Sequence, residues 1–510
     1  MYSTKSPSLF QAFLPILILV VLLALNVVFF GGDSSYGPNQ IALLLAAGIA
    51  VIISKTIGVG WQQTMDAIRT SISSALEALI ILLLIGALAG TWLISGVVPT
   101  MIVYGLDIMN PTIFLFASCI ICAIVSVSTG SSWSTVATVG VALLGIGQAL
   151  GIGEGWIAGA VISGAYFGDK MSPLSDTTNL APAVAGTDLF THIRYMTYTT
   201  VPSICVALVV FLIAGFMFDG GADPAQIAGM QEIIRGTFDT ISPLLFLVPV
   251  VVIVLIVKKM PAIPALMIGA LLGAVCAVCF QSGLVERIAA DWNGVAVEEY
   301  TEDYVYSGYL TSTVSMMTST TDFFAEQNDA INDLFNIPEQ DRSSLLKGSG
   351  MEGMLNTVWL IVCAMIFGGA MQAGGLLKRI TRAILSRVNS VGSLIASTSG
   401  TAVFFNLTAS DQYLAIVVPG KMFKDEYEEQ GLAPENLSRT LEDSGTVTSV
   451  LVPWNTCGAT QQGVLGVDVL TFLPYCVFNY VSPLMTMLFG YMGWKIRKLN
   501  RGKAEAEVQA

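Results

Sequence analysis

Two aspartates, a lysine and several hydroxyl and amide side chains stand together between long apolar segments. The stretch reads GDKMSPLSDTTNLAPA and covers Gly168 to Ala183. Pro173 and Pro182 remove backbone donors and interrupt helices, so freed carbonyls and side-chain oxygens can turn inward within a membrane. Oxygen ligands suit a small hard cation, and carboxylates at membrane depth are candidate functional groups. The stretch therefore predicts a cation site, with these candidate ligands: Asp169, Ser175, Asp176, Thr177, Thr178 and Asn179.

Three further polar segments interrupt apolar runs, at residues 126–138, 406–412 and 444–458. The hydroxyls around Gly130 fit a helix break or a re-entrant tip, and the alternative is ordinary helix packing through polar residues. We expect the breaks to add oxygen ligands to the same site. The candidates are Thr129, Ser131, Ser132, Thr408, Ser410, Asp411, Thr446, Thr448 and Asn455.

The composition indicates the medium in which these segments lie. Of the 510 residues 54% are hydrophobic and 12% are charged, whereas soluble domains carry roughly 25% charged residues. Apolar stretches near the ~20 residues that a bilayer requires recur along the chain. We therefore predict an all-α polytopic membrane protein in contact with the lipid bilayer, and we expect no nucleic-acid partner.

Charge patterning predicts the topology. Basic residues follow several apolar runs and also open the last segment, so the positive-inside rule places both termini in the cytoplasm. An acidic stretch with few basic residues is expected outside. We divide the chain into N-terminal spans (1–70), a first repeat (71–218), connecting spans (219–285), an acidic extracytoplasmic loop (286–347), a second repeat (348–494) and a basic-led cytoplasmic tail (495–510).

The two repeats show the same order of polar interruptions. Ser131 precedes Asn179 by 48 positions, and Ser410 precedes Asn455 by 45. Matched interruptions in two halves are typical of transporters whose binding site lies near the membrane midplane. If the repeats are inverted, the broken helices would meet from opposite sides.

Several motifs resemble the NhaC-type sodium/proton antiporter family, part of a larger ion-transporter superfamily. They are GTWLISG at 90–96, STGSSWSTVATVG at 128–140, ISGAYFGDKMSPLSDTTNLAPAVAGTDLFTHIR at 162–194, GMEGM at 350–354 and TVTSVLVPWNTCGA at 446–459. The resemblance implies a fold of two repeats, often inverted in such transporters, with a scaffold and a mobile transport region, and a homodimer in the bacterial cytoplasmic membrane. It also implies exchange of cytoplasmic sodium for external protons, with no cofactor. A branch of the same family exchanges malate for lactate, so that activity stays open.

Within this family the hypothesis is that one site binds either sodium or a proton. Asp176 and Asn179 are the expected sodium ligands. Lys170 could neutralise Asp169, which would leave Asp176 as the titrating group. Asp443 is either a helix cap or a functional carboxylate.

Two other classes of function remain as rivals. A sodium-coupled carrier of small carboxylates is compatible with hydroxyl-lined breaks and half-helix N-termini, but the central motifs lack an arginine. A membrane enzyme or a passive channel is the third possibility. An enzyme would need a nucleophile beside a base, and the single histidine, His192, lies apart from the hydroxyl clusters in sequence.

Overall fold

The computed structural model describes residues 6–30, 34, 36–108, 110–218, 224–258, 260–293, 305–320, 323–335, 345–346, 348, 350–385 and 390–499. These residues are predominantly helical and contain no named strand. The prediction of an all-α polytopic membrane protein is confirmed. The α-helices of the described part are α1 (Leu9–Phe30), α2 (Pro38–Thr56), α3 (Trp61–Ser74), α4 (Leu76–Ile94), α5 (Val97–Ile108), α6 (Pro111–Thr129), α7 (Ser132–Thr135), α8 (Val141–Ala149), α9 (Glu154–Met171), α10 (Asp176–Ala185), α11 (Leu189–Gly215), α12 (Pro224–Thr237), α13 (Leu247–Val257), α14 (Ala262–Phe280), α15 (Ser282–Asn293), α16 (Val305–Thr318), α17 (Ala325–Leu334), α18 (Gly350–Ala373), α19 (Leu376–Leu385), α20 (Val391–Thr408), α21 (Gln412–Glu429), α22 (Pro434–Leu441), α23 (Thr456–Leu465), α24 (Val469–Phe472) and α25 (Val477–Met492).

Seven helical stretches of the described chain are long and apolar enough to cross a membrane, or eight if the bent pair α24–α25 forms one span. Large apolar side chains on their outer faces are exposed, for example Phe10 and Val28 on α1 and Ile213 on α11. Such exposure fits a lipid-facing surface, because lipid does not penalise apolar contact.

The segment expected to be an acidic loop contains regular structure. Helix α15 ends within it, and α16 and α17 follow. Helix α16 packs on α4 and α15, with Ser312 and Met316 buried. Residues 294–304, 321–322, 336–344 and 347 of the predicted loop, and residues 500–510 of the predicted tail, lie outside the described residues.

Two helix breaks interrupt the first half. At the first break, Gly130 has a left-handed φ of 72°, and Ser131 caps the next helix by accepting a hydrogen bond from the Ser134 amide at 3.2 Å. At the second, the chain turns at Pro173, and Ser175 caps α10. Hydroxyls at helix N-caps satisfy amides that lack a partner within the helix, so these residues set where each half-helix begins.

Two breaks with matching geometry interrupt the second half. Ser410 has a left-handed φ of 59°, and Asp411 caps α21 by accepting from the Leu414 amide at 2.9 Å. Asn455 caps α23 after a turn that contains Pro453. In both halves the second turn is closed by a backbone hydrogen bond, Ser175 to Ser172 in one and Asn455 to Val452 in the other.

The helix caps of the two halves keep one register. Five first-half N-caps are each followed 280 positions later by a second-half N-cap, and the pairs are Asn110 and Ser390, Ser131 and Asp411, Gly153 and Ala433, Ser175 and Asn455, and Asp188 and Asp468. The structural equivalents therefore differ from the pairs compared in the sequence. Ser131 corresponds to Asp411 rather than Ser410, and Asn455 corresponds to Ser175 rather than Asn179.

Equivalent helices also make equivalent contacts. In the first half α6 packs against α9 and α11, and in the second half α20 packs against α22 and α25. Helix α11 joins the halves by packing against α25. The Tyr195 hydroxyl, near the start of α11, donates to the Lys495 carbonyl just beyond α25. The start of α11 therefore lies beside the end of α25.

Candidate functional site

A cavity of about 740 Å³ lies where broken helices of the two halves meet. All four breaks contribute lining residues, and the rest of the lining comes from α3, α4, α13, α14 and the turns beside them. Residues on the break walls are Thr129, Gly130, Ser131, Trp133, Ser134, Asp169, Leu174, Ser175, Asp176, Thr177, Asp411, Gln412, Tyr413 and Thr456. The described structure therefore brings together seven predicted site residues: Thr129, Ser131, Asp169, Ser175, Asp176, Thr177 and Asp411.

Asp169 stands at the end of α9 and closes the first break. Its carboxylate accepts hydrogen bonds from the Ser132 amide at 3.1 Å and from the Ser132 hydroxyl at 2.6 Å. The carboxylate thus stabilises the start of α7, where the helix dipole favours a negative charge. Ser132 contacts the site through Asp169, although it is not a lining residue itself.

Asp176 is the first residue of α10, and its side chain is exposed within the cavity wall. It follows the Ser175 cap, so it also lies at a helix N-terminus. Next to it, the Thr177 hydroxyl donates to Glu442 Oε1 at 3.0 Å and lies 3.2 Å from the Ser175 hydroxyl. Asp176 is the carboxylate of this group most open to solvent in the cavity.

The second half contributes a third aspartate to the cavity, Asp411. It is buried at the start of α21, where its Oδ1 accepts from the Leu414 amide. The neighbouring Gln412 accepts hydrogen bonds from the Cys457 thiol at 3.0 Å and the Ser449 hydroxyl at 3.4 Å. The cavity is therefore bordered by a carboxylate at the start of three half-helices.

Thr178 and Asn179 have a local role in the second break. The Thr178 hydroxyl donates to the Asp169 and Lys170 carbonyls at 3.2 and 3.1 Å. The Asn179 amide donates to the Pro173 and Ser175 carbonyls at 3.0 and 2.7 Å. Neither residue is among those that line the cavity. Their side chains hold the turn that carries Ser175 and Asp176.

Five predicted residues of the second half lie behind the cavity wall and do not line it: Thr408, Ser410, Thr446, Thr448 and Asn455. The Thr408 hydroxyl donates to the Phe404 carbonyl at 2.7 Å. Thr448 and Asn455 both bond to the Asn406 side chain. These contacts fasten the second-half breaks to α20.

Lys170 does not neutralise Asp169, contrary to the sequence interpretation. Its ammonium donates to Asp443 and, at 3.0 Å, to the Ser482 hydroxyl, and Lys170 and Asp443 are both fully buried. Asp443 also accepts from the Thr199 hydroxyl at 2.8 Å. Asp443 is therefore an interior ion-pair partner rather than a helix cap, and the reason for preferring Asp176 over Asp169 no longer holds.

Several residues of the site were missed from the sequence. Glu442 was not singled out, and only the fold shows that a π-helical turn at Glu442–Thr446 buries it together with Asp443. Gln412 is the last residue of the predicted polar segment 406–412, but it is not charged and was not chosen as a candidate ligand. No feature of the sequence singled out three further residues that line the cavity, Trp133, Tyr413 and Thr456.

Comparison with known proteins places the chain in a family. Residues 164–321 and 330–494 match the family described as the Na+/H+ antiporter family. The chain is 37% identical to the Na+/H+ antiporter NhaC of Alkalihalophilus pseudofirmus, over 90% of this chain and 91% of that protein. It is 36% identical to the malate-2H+/Na+-lactate antiporter of Bacillus subtilis, over 92% of each chain. It is 33% identical to the arginine/ornithine antiporter ArcD of Halobacterium salinarum, over 96% of this chain and 93% of that protein. The resemblance in the motifs is thus confirmed, and this chain belongs to the Na+/H+ antiporter family.

Proposed function

We propose that this protein exchanges sodium ions for protons by alternating access, with the sodium ion bound in the cavity between the two halves. The observation that carries the proposal is the charge of the cavity. Its charged lining residues in the described structure are all acidic: Glu77, Asp169, Asp176 and Asp411. A cavity with this lining attracts cations and repels anions.

The positions of the aspartates suit reversible cation binding. Asp176 and Asp411 lie at the starts of α10 and α21, and the Asp169 carboxylate contacts the start of α7. At each of these helix starts the helix dipole offsets part of the negative charge. Hydroxyls of Ser131, Ser175 and Thr177 add the neutral oxygens that a hard cation prefers. We infer that Asp169 and Asp176 are the principal sodium ligands, and that proton uptake by the protein and sodium binding exclude one another.

Two structural features support alternating access. The two halves share one register of helix caps, and α11 packs against its counterpart α25 with the start of one beside the end of the other. Equivalent helices that run in opposite directions are the arrangement of inverted repeats. We infer an inverted pair of repeats, one moving against a scaffold that includes α1, α2 and α18.

The family and the charge pattern support a proposal for the setting of the protein. We propose a homodimer in the cytoplasmic membrane of a bacterium, with both termini in the cytoplasm. The work comes from the ion gradients, and we propose that the cycle uses no cofactor.

Exchange of small carboxylates is the second candidate, because the Bacillus subtilis relative is named as a malate and lactate antiporter. A carboxylate substrate would need a positive partner. The described lining of the cavity contains no lysine, arginine or histidine, and Lys170 is already paired with Asp443. The lining therefore favours the cation over the organic anion.

Proteoliposomes test the proposal directly. Sodium is added outside purified protein, with and without malate or lactate, and an internal dye reports pH. We expect a sodium-driven pH change that needs no organic anion. The variant Asp176→Asn should abolish it, whereas Asp66→Asn, on an exposed helix surface beside Arg69, should not. Movement that begins only when malate or lactate is supplied would instead establish carboxylate exchange.

A further inference from the structure

We propose that Ser449, Cys457 and Gln461 form the external half of the ion pathway, which is closed in this structure. This assignment rests on the sodium/proton exchange proposed above and adds the residues that the ion meets on its way to the outside. All three side chains are fully buried. They lie beyond the cavity wall and do not line it.

The cavity reaches the protein surface beside two turns. Exposed residues line it there, Ser74 and Glu77 at the junction of α3 and α4, and Pro261 between α13 and α14. Lys258 stands just before the second turn, and basic residues at the end of a span mark the cytoplasmic side. The cavity therefore opens toward the cytoplasm.

Helices α9 and α23 lead from the cavity in the other direction. Asp169, near the end of α9, and Thr456, at the start of α23, both line the cavity. The far ends of the two helices are close to one another, because Glu154 at the start of α9 lies near Asp468, just past α23. Leu345, from the acidic segment expected outside, lies against α8, the helix that precedes α9. The layer between α9 and α23 therefore connects the cavity with the external side.

The repeat register divides the lining residues of the breaks into two groups. Among the described residues, three equivalent pairs line the cavity with both members: Ser131 and Asp411, Trp133 and Tyr413, and Asp176 and Thr456. Seven first-half residues line it although their counterparts do not: Thr129, Gly130, Ser134, Asp169, Leu174, Ser175 and Thr177. The two halves thus share the centre of the cavity, which extends beyond the centre mainly along the first half.

In the inverted arrangement proposed above, the counterparts of these seven residues line the path to the opposite side. Asp169 and Thr177 correspond in this way to Ser449 and Cys457. Gln412 bonds to both counterparts, since its Oε1 accepts from the Cys457 thiol at 3.0 Å and from the Ser449 hydroxyl at 3.4 Å. Gln412 itself lines the cavity. These two hydrogen bonds therefore close the cavity on the side of the external pathway.

Two buried polar side chains without partners lie near Cys457. Gln461 and Tyr166 are fully buried, and Tyr166 lies next to Cys457 and Gln461. In the described structure neither amide atom of Gln461 has a hydrogen-bond partner, and the Tyr166 hydroxyl has none either. A buried amide without a partner costs free energy, because it loses its bonds to water and gains none. Polar side chains kept at such a cost within a membrane are typical of ion pathways.

The shared centre lets an ion change sides without leaving both carboxylates. Asp176 and Asp411 belong to the shared pairs, so they face the cavity in either state. When the floor opens, the ion exchanges the Asp169 carboxylate for the neutral oxygens of Ser449 and Gln461, which suit a hard cation. Neutral oxygens hold a cation less tightly than a carboxylate does, and this difference favours release outside.

Labelling of the native cysteines tests the pathway. Intact cells that produce the full chain are treated with a membrane-impermeant maleimide, and mass spectrometry measures the labelled fraction at each cysteine. We expect Cys457 to be labelled at least about tenfold faster than Cys122, because an open state populated at about 1% still exposes its thiol. Cys122 is the matched control, since it is just as buried but lies on α6, outside the proposed pathway. In inside-out vesicles Cys457 should be labelled as slowly as Cys122.

Gln461→Leu tests the pathway by function. The variant keeps a side chain of similar size and removes the unpartnered amide, so the thermal midpoint in detergent should not fall. Sodium-driven proton movement in proteoliposomes should slow at least about tenfold. The sodium dissociation constant, measured by calorimetry, should stay within about twofold of the wild-type value. Gln62→Leu, on the exposed face of α3, is the matched control and should exchange ions as the wild type does.

The outcomes separate the pathway from the proposed function. Cys457 that is labelled no faster than Cys122 in intact cells, or equally fast in inside-out vesicles, would overturn the external pathway. A wild-type exchange rate in Gln461→Leu would remove Gln461 from it. Labelling of Cys457 from outside, in a protein that neither binds sodium nor exchanges it for protons, would support the pathway and overturn the proposed function.

Discussion

Asp169 accepts two hydrogen bonds from Ser132, one from its amide and one from its hydroxyl. This pair of bonds fixes the carboxylate on the start of α7 and turns it toward the cavity. A sodium ligand benefits from such fixation, because less conformational freedom is lost when the ion binds. The hydroxyl bond, at 2.6 Å, is the shorter of the two.

Ser132→Ala removes the hydroxyl bond and keeps the amide bond. We expect the half-maximal sodium concentration for exchange to rise about tenfold, because a hydrogen bond to a charged group contributes about 1.5–3 kcal/mol and about 1.4 kcal/mol is a factor of ten. Sodium titration of exchange in proteoliposomes measures the shift. Ser128→Ala is the control, since that exposed hydroxyl bonds only to the Ile124 carbonyl. An unchanged sodium requirement would show that Ser132 does not position the ligand.

The sequence predicted which side chains reach the cavity more reliably than it predicted the groups to which they are bonded. Asp169, Asp176 and Asp411 stand out as carboxylates between apolar runs, and all three reach the cavity. The partner of Lys170 could not be read locally, because Asp443 lies 273 positions away. Asn179 looked like an ion ligand, but its amide serves the carbonyls of its own turn.

At the scale of the helices, the first helix break depends on Gly130, which has no side chain. Gly130 has a φ of 72°, and a Cβ there would lie 2.6 Å from the Leu174 Cβ. Leu174 belongs to the second break, so Gly130 is the point where the two breaks of the first half touch. Residues of both breaks, among them Ser131, Asp169 and Ser175, therefore line the same cavity.

Gly130→Ala should separate the two breaks. We expect the free energy of unfolding to fall by at least about 1–2 kcal/mol, because alanine is strained in the left-handed backbone conformation. The clash of its Cβ with Leu174 should lower the free energy of unfolding further. Sodium-driven exchange should fall with it. Thermal unfolding in detergent and exchange in proteoliposomes measure the two effects. Gly153→Ala is the matched control, because Gly153 has a φ of −60° and a Cβ there meets nothing within 4 Å. Equal behaviour of the two variants would contradict this account.

Prolines, glycines and hydroxyls in the sequence indicated the general location of each break. They could not indicate its length, since Ser and Thr are compatible with both a helix interior and a cap, and the choice depends on which amides need a partner. Residues 126–129, for example, belong to α6 rather than to the break. The common register of the halves became visible only when the caps were known.

In the whole molecule, a buried ion pair joins the two halves. Lys170 comes from α9 and Asp443 from the π turn beyond α22, and neither side chain is exposed. Ser482 and Thr199 add hydroxyls from α25 and α11. Four elements therefore converge on one pair of charges.

Lys170→Met should destabilise the protein by about 3–5 kcal/mol, because it leaves Asp443 buried without a cation. Adding Asp443→Leu should recover part of this loss, since it removes the unpaired charge. The thermal midpoint in detergent measures both variants. Lys378→Met, at an exposed position, should leave the midpoint unchanged. A double variant no more stable than Lys170→Met would show that charge balance is not what the pair provides.

The membrane class and the approximate spans could be predicted because apolar length and charge content are set by the bilayer itself. The helices between residues 282 and 334 could not, because their many acidic and hydroxyl residues resemble those of a loop. Helix α16 packs against α4 and α15, and α17 packs against α12, and composition does not reveal these contacts.

The shared register of the helix caps has a consequence for the opposite-facing state of the protein. Residues 110–195 can be threaded onto the backbone of residues 390–475, and the reverse, without opening a gap or adding a residue. The differences between the halves are then changes of backbone angle at fixed chain length, such as π turns at 136–140 in one half and at 442–446 in the other. Under the proposed alternating access between inverted repeats, exchanging the two backbones would supply coordinates for the opposite-facing state. Distances between spin labels placed on the two halves can be compared with those coordinates directly.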